Sequence, residues 1–330
     1  MKTPFLRRTL CAALGGAALL ALAAPASAQD AAWPTKPIRV IVTFPPGGSA
    51  DAIVRAISPR VSERLGQPLV IENRPGAGGN IGLTAVAKAE GDGYTVGLGA
   101  AGALSANVSL YPQMPFDPVK DLKPVSLVAA IPFVIVGHPS VGVRTQAELI
   151  ALAKRDPSKL TIGHGGNGTA MHLTASLFDQ MAGVKIVQAA YRGSGPAAMD
   201  ALAGQIPLAV TDLPAAIQHI RADKLMAFSV TGSRRVPALP DVPTVAEAGL
   251  PGYESVGWFG IVAPAATPDA IVNKLNAAIV EALNDPAIQT NIRAIGVEPA
   301  PSTPQAFADY IKSETVKWGQ VIRNAGIKLE

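Results

Sequence analysis

The chain is poor in the groups that usually announce an activity. Its single cysteine, Cys11, lies near the basic end of the first apolar run, so the rest of the chain has no disulfide and no thiolate to offer a metal or a substrate. Aromatic residues make up only 5% of the sequence and no Lys/Arg run is present, which argues against a base-stacking platform and against nucleic acid as a partner. The excess of 28 Lys+Arg over 24 Asp+Glu shrinks to 25 over 24 once Lys2, Arg7 and Arg8 are set aside with the leader. No G-x-x-x-x-G-K-[ST] occurs, so a P-loop is excluded, and no G-x-S-x-G supplies the nucleophile that the HGGN of His164 to Asn167 would need in an esterase. The four histidines, His138, His164, His172 and His219, have no metal-ligand spacing. Gly97 to Gly102 and Gly163 to Gly168 each match G-x-G-x-x-G after a strand pattern, but neither is followed by the acid that would hold a ribose.

What is present begins with an export signal. Lys2, Arg7 and Arg8 precede an apolar run from Leu10 to Ala24 and the small-residue site Ala26-Ser27-Ala28, so residues 1–28 read as a signal peptide cleaved near Ala28. That run is short for a membrane span, and the paired arginines leave both the general and the twin-arginine routes open. An exported chain of about 300 residues without disulfides must rest on full hydrophobic cores, which favours the periplasm of a bacterium.

Beyond the leader, apolar runs such as IRVIVTF, YTVGLG, LTIGHG, IPLAVTD and WFGIVAP alternate with helical patterns, the signature of α/β layers. Thr145 and Glu148 form a capping box before LIALAKR, Asp156-Pro157 ends that helix, and Thr267-Pro268 opens another. Ile53, Ile57, Val61 and Leu65 mark one helix face that Pro59 should kink or break. The proline-rich stretches near Leu122 to Pro132 and Gly252 to Pro264 read as connections crossing between two lobes, the second preceded by a short capped helix at Thr244 to Glu247.

One theme recurs: a strand, a loop of glycine and small hydroxyl residues, then a helix start. It appears in FPPGGSAD, GLGAAGALSAN and GHGGNGTAMH. Each such loop turns backbone N–H groups and the positive end of a helix toward the carboxyl edge of a sheet, where an anion is favoured. In the first, Pro45 and Pro46 lack donors while Gly47 and Gly48 leave theirs bare.

At these residues, and at VIENRPGAGGNIG, PFDPVKDLKPVSLVA, YRGSGPA, ALPDVPTVAEAGLPGYE and WFGIVAP, the chain resembles the Bug-type substrate-binding proteins of the tripartite tricarboxylate transporter family. The resemblance implies an α/β, two-lobed periplasmic binding protein of the Venus-flytrap kind, type II-like, each lobe a mostly parallel sheet flanked by helices. Lobe 1 would comprise residues 29–130 and 255–330, and lobe 2 residues 131–254. It also implies a monomeric receptor, with no enzymatic activity, cofactor or metal, that hands a small carboxylate to the membrane components of a tripartite transporter. The family holds a ligand carboxylate on its first loop. Here that points to Phe44, Pro46, Gly47, Gly48 and Ser49, joined by Ala100 and Ala101, by Gly166, Asn167, Gly168 and Thr169, and by Tyr191 and Asp212 as walls.

Two positions depart from the family pattern. Ala100 and Ala101 stand where many relatives carry a hydroxyl, and Thr211 where they carry an acid, with Asp212 next to it. Net charge near zero, few basic residues in the loops and an apolar corner at Ala100 and Ala101 favour one or two carboxylates on a partly hydrophobic body. Arg74 and Arg192 could add to the donors of the loops, although a lone arginine beside a turn is more often a solvated surface charge. A hydrolase-like enzyme, or a soluble partner presenting a ligand to a membrane sensor, remain as alternatives on the same scaffold.

Overall fold

A computed structural model describes residues 33–327; the leader and its cleavage site lie outside them. The elements alternate as the apolar pattern requires. The first part of the chain runs β1 (Ile38–Val42), α1 (Ser49–Leu65), β2 (Leu69–Asn73), α2 (Asn80–Ala87) and β3 (Thr95–Ala100). A π-helical turn, Gly102–Ala106, leads into the short α3 (Asn107–Leu110), and the long β4 spans Leu122–Gly137. Then follow α4 (Gln146–Arg155), β5 (Thr161–His164), α5 (Ala170–Ala182), β6 (Val187–Ala190), α6 (Ser194–Leu202), β7 (Leu208–Asp212), α7 (Leu213–Arg221) and β8 (Met226–Val230). The chain closes with β9 (Val256–Pro264), α8 (Asp269–Leu283), α9 (Pro286–Ala294), β10 (Glu298–Pro299) and α10 (Pro304–Ala325).

The strands lie in the order β2-β1-β3-β9-β4-β7-β5-β6, with β8 and β10 also bonded to β4. Its two ends, β2-β1-β3 and β7-β5-β6, are parallel. Strands β4 and β9 run antiparallel to their neighbours and to each other. Parallel strands are covered on both faces, and β3 is accordingly buried along its whole length. On α1 the expected face of Ile53, Ile57, Val61 and Leu65 is buried. The capping box is complete: Thr145 Oγ1 accepts from Glu148 N at 3.2 Å while Glu148 Oε2 accepts from Thr145 N at 3.0 Å.

Three local expectations change. The first crossing is a strand and not a loose connection, and the second contains the strand that WFGIVAP predicts: Leu122 to Pro132 of β4 pairs with β9 from Pro264 back to Val256, and Phe133 to Gly137 pairs instead with β7 and β8. The prolines are accommodated where the ladder is already irregular, since the register slips between Pro124 and Ser126 and the strand changes partners after Pro132. Pro59 does not end α1, which continues through it to a left-handed Gly66 cap. Thr244 to Glu247 forms reciprocal capping bonds but only a turn; Val230 bridges to Thr244 there and Leu250 closes back onto Val245.

Candidate functional site

The carboxyl ends of β1, β3, β5, β6 and β7 release their chains toward one cavity. The loop after β1 is braced from behind. Thr43 Oγ1 donates to the Leu98 carbonyl of β3 at 3.0 Å, and Asn73 Nδ2 donates to the Phe44 carbonyl at 2.9 Å and to Asp51 Oδ1 at 3.1 Å. Asp51 Oδ2 accepts from Gly47 N at 3.2 Å and from Arg55 Nε at 2.8 Å. Burial works to raise the Asp51 carboxyl, but the hydrogen bonds from Arg55, Asn73 and Gly47 outweigh it and hold the group below its ordinary range. Gly47 sits at φ +88°, where a side chain would be strained, and this is what lets its N–H turn back onto Asp51.

Facing this loop are the starts of three further helices. Thr169 caps α5, accepting from His172 N at 3.3 Å and donating to the Gly166 carbonyl at 2.7 Å. Ser194 and Gly195 open α6, with Ser194 Oγ across from Gly48. Asp212 caps α7, its Oδ1 accepting from Ala215 N at 3.4 Å. Its Oδ2 accepts from both the Ser49 hydroxyl, at 2.5 Å, and the Ser49 N–H, at 3.3 Å, so one carboxylate joins the first turns of α1 and α7.

The remaining wall is apolar. Phe44 meets Phe259 edge-on at 5.9 Å, and Ile131, Phe133, Met171 and Trp258 complete it. Trp258 is held from the far side by α10: its Nε1 donates to Glu314 Oε2 at 3.0 Å, and its ring meets Phe307 and Tyr310 edge-on at 5.8 and 5.3 Å. Glu314 Oε2 also accepts from Trp318 Nε1 at 2.8 Å, and Lys317 Nζ lies 3.5 Å from its Oε1, so a buried carboxylate is shared by two indoles and one ammonium.

Of the residues singled out from sequence, Phe44, Pro46, Gly48, Ser49, Ala100, Ala101, Thr169 and Asp212 line this cavity together. Gly47 points its N–H away, to Asp51. Gly166, Asn167, Gly168 and Tyr191 lie outside the lining. Gly168 packs against Gly102, where any Cβ would collide with the Gly168 carbonyl, and Asn167 presents its carbonyl to Gly78. Tyr191 donates its hydroxyl to Asp200 at 2.8 Å. With Gly166, Asn167 and Arg192 it borders a neighbouring cleft.

The third loop is shaped by two stacked histidines. His164 and His172 lie 4.9 Å apart, and their Nδ1 atoms accept from Gly166 N at 3.2 Å and Gly168 N at 3.4 Å. Burial, with His172 alongside, pushes His164 down to about 3, and burial lowers His172 as well, so both rings are neutral.

Sequence reasoning missed Ser194 and Gly195, although YRGSGPA repeats the strand, glycine loop and helix theme a fourth time. It also missed Trp258 and Phe259, whose signal was the WF pair at the start of an otherwise small-residue strand.

The model of the tripartite tricarboxylate transporter family receptor matches residues 53–327. The chain belongs to this family. It is similar to protein BugT of Bordetella pertussis, 38% identical over 310 residues that cover 94% of each protein. Among solved structures it is similar to a Rhodopseudomonas palustris protein with adipate, at 37% identity and a TM-score of 0.87 over 90% of this chain and all of that one. It is also similar to MatC from the same organism with bound malate, at 32% identity and a TM-score of 0.83 over 88% of this chain and all of that one. The receptor therefore has the α/β, two-lobed fold of periplasmic binding proteins, and its family and solved relatives are solute-binding receptors and not enzymes.

Proposed function

We propose that this receptor works in the periplasm as a monomer, after removal of residues 1–28, capturing a small and partly hydrophobic carboxylic acid between its lobes and delivering it to the membrane components of a tripartite tricarboxylate-type transporter. The observation that carries this reading is the cavity where four helix starts, three of them rich in glycine and hydroxyl residues, meet an aromatic wall, with no lysine or arginine in its lining. Helix starts and neutral donors hold a carboxylate with less affinity than an arginine clamp. Micromolar binding needs only about 8 kcal/mol and suits a protein that must release its cargo. Adipate and malate in two structural relatives support the ligand class.

The lobes are assigned as residues 29–130 with 255–330, and 131–254. The change of partner within β4 between Pro132 and Phe133 and the start of β9 at Val256 support that division. The ligand-binding residues are assigned as Phe44, Pro46, Gly48, Ser49, Ala100, Ala101, Thr169 and Asp212, with Ser194 and Trp258 added.

A thermal-shift panel of mono-, di- and tricarboxylates, amino acids, sugars and cations tests the ligand class, because a ligand at about 100 times its Kd adds about 2.7 kcal/mol of stability. A rise in Tm with at least one carboxylate is expected. A rise with sugars or cations alone contradicts the reading.

A further inference from the structure

The cavity lining contains one side chain able to carry a charge, and it is an acid. Asp212 is the only acidic or basic side chain in the lining, and it is 2% exposed. Three donors reach its carboxylate, the Ser49 hydroxyl, the Ser49 N–H and the Ala215 N–H, whereas an ionised carboxylate accepts about four. All three are neutral, and no cation forms a salt bridge with Asp212 among the described residues. The positive ends of α1 and α7, which could have received an incoming anion, are already turned on this internal one. A ligand carboxylate at that end would face a buried like charge without water to screen it.

We propose, resting on the receptor reading above, that Asp212 selects ligands by charge. The ligand presents an ammonium group to Asp212 and a single carboxylate to the other helix starts, so the cargo is an amino carboxylic acid with an apolar body and not a dicarboxylate. Phe44, Trp258 and Phe259 surround the apolar part.

Four six-carbon probes differing only in one group test this by calorimetry on the mature protein: hexanoate, adipate, norleucine and ε-aminocaproate. At least one of the two amino acids is expected to bind roughly tenfold or more tightly than hexanoate and adipate, because like charges are penalised and opposite charges rewarded in a buried site. Asp212→Asn keeps an oxygen to cap α7 and should erase that preference while a thermal melt shows the fold retained. Adipate binding more tightly than both amino acids in the unmodified protein overturns the inference, and so does a preference that survives in Asp212→Asn. Either result leaves the receptor reading standing, since a carboxylate has bound. If Asp212→Asn does not fold, the order of the four probes on the unmodified protein still decides. Binding of sugars or cations with no response to any of the four acids overturns both the inference and the reading on which it rests.

Discussion

The loops after β1 and after β5 have the same ingredients, a strand end, several glycines and a hydroxyl at the helix start, and they are used in opposite ways. The first is braced from behind by Asn73 and Asp51 and turns Phe44, Gly48 and Ser49 into the cavity. The second is braced by two neutral histidines, contributes Thr169 to the lining, and lays Asn167 and Gly168 against the backbone at Gly78 and Gly102. Glycine serves approach in both cases. In the proposed reading the body that approaches the first is a ligand, and in the second it is the rest of the protein.

The histidine brace should make the second loop the acid-sensitive one. A histidine lowered in the folded state destabilises the fold as pH drops below its unfolded value, because only the unfolded chain then takes the proton. His164, ordinarily at 6.5 and lowered to about 3 here, should cost up to about 1.4 kcal/mol per pH unit between those limits, with His172 acting in the same direction. Asp179, raised by burial to about 6, opposes this in part: its protonated form favours the fold as pH falls from 6 toward 3.8. Denaturant melts from pH 7 to 4 should show net loss of stability, and His164→Gln should flatten the profile. An unchanged slope in His164→Gln would remove the histidines from the account.

Next in size is the contact of the second loop with the rest of the protein. Gly102→Val places a side chain on the Gly168 carbonyl and should cost about 1–3 kcal/mol as overpacking does, read as a lower midpoint in a urea melt. Wild-type stability in that variant would mean the close approach is dispensable. The contrast is Gly48→Val. Gly48 has no left-handed φ and its added Cβ would stand 3.7 Å from Ser194 Oγ, so stability should change by less than about 1 kcal/mol while the branches fill the cavity. The smallest effect belongs to Asn73→Ala, which removes the Asn73 donor from the Phe44 carbonyl and from Asp51 Oδ1 and should weaken the fold by about 1 kcal/mol. Affinity should fall modestly as Phe44 loosens, and calorimetry would detect no change if the brace is idle.

The sequence carried the alternation of strands and helices, the buried face of α1 and the capping box at Thr145, because each depends on near neighbours. It failed where distant partners decide. The segment from Leu122 to Pro132 reads as a connection, yet it pairs with the WFGIVAP strand through its prolines because register slips and a change of partner absorb the missing donors. Pro59 reads as a break, but it stands on the exposed side of α1 while the buried face of Ile53, Ile57, Val61 and Leu65 runs on past it. Eight of the site residues singled out by position line the cavity. Gly166, Asn167 and Gly168 do not, since nothing local distinguishes a glycine that admits a ligand from one that admits a carbonyl. Ser194 and Trp258 were hidden for the same reason: β9 stands two places from β1 in the sheet and β6 at the far end of the strand order, so only the folded sheet turns their ends toward one cavity.

The most direct measurement compares the unmodified protein with Gly48→Val by calorimetry against the carboxylic acid that gives the largest thermal shift. The account predicts saturable binding to the unmodified protein and none to Gly48→Val, with melting curves that differ by no more than a few degrees. Equal affinity in the two proteins would place the ligand elsewhere and contradict the assignment of this cavity as the site.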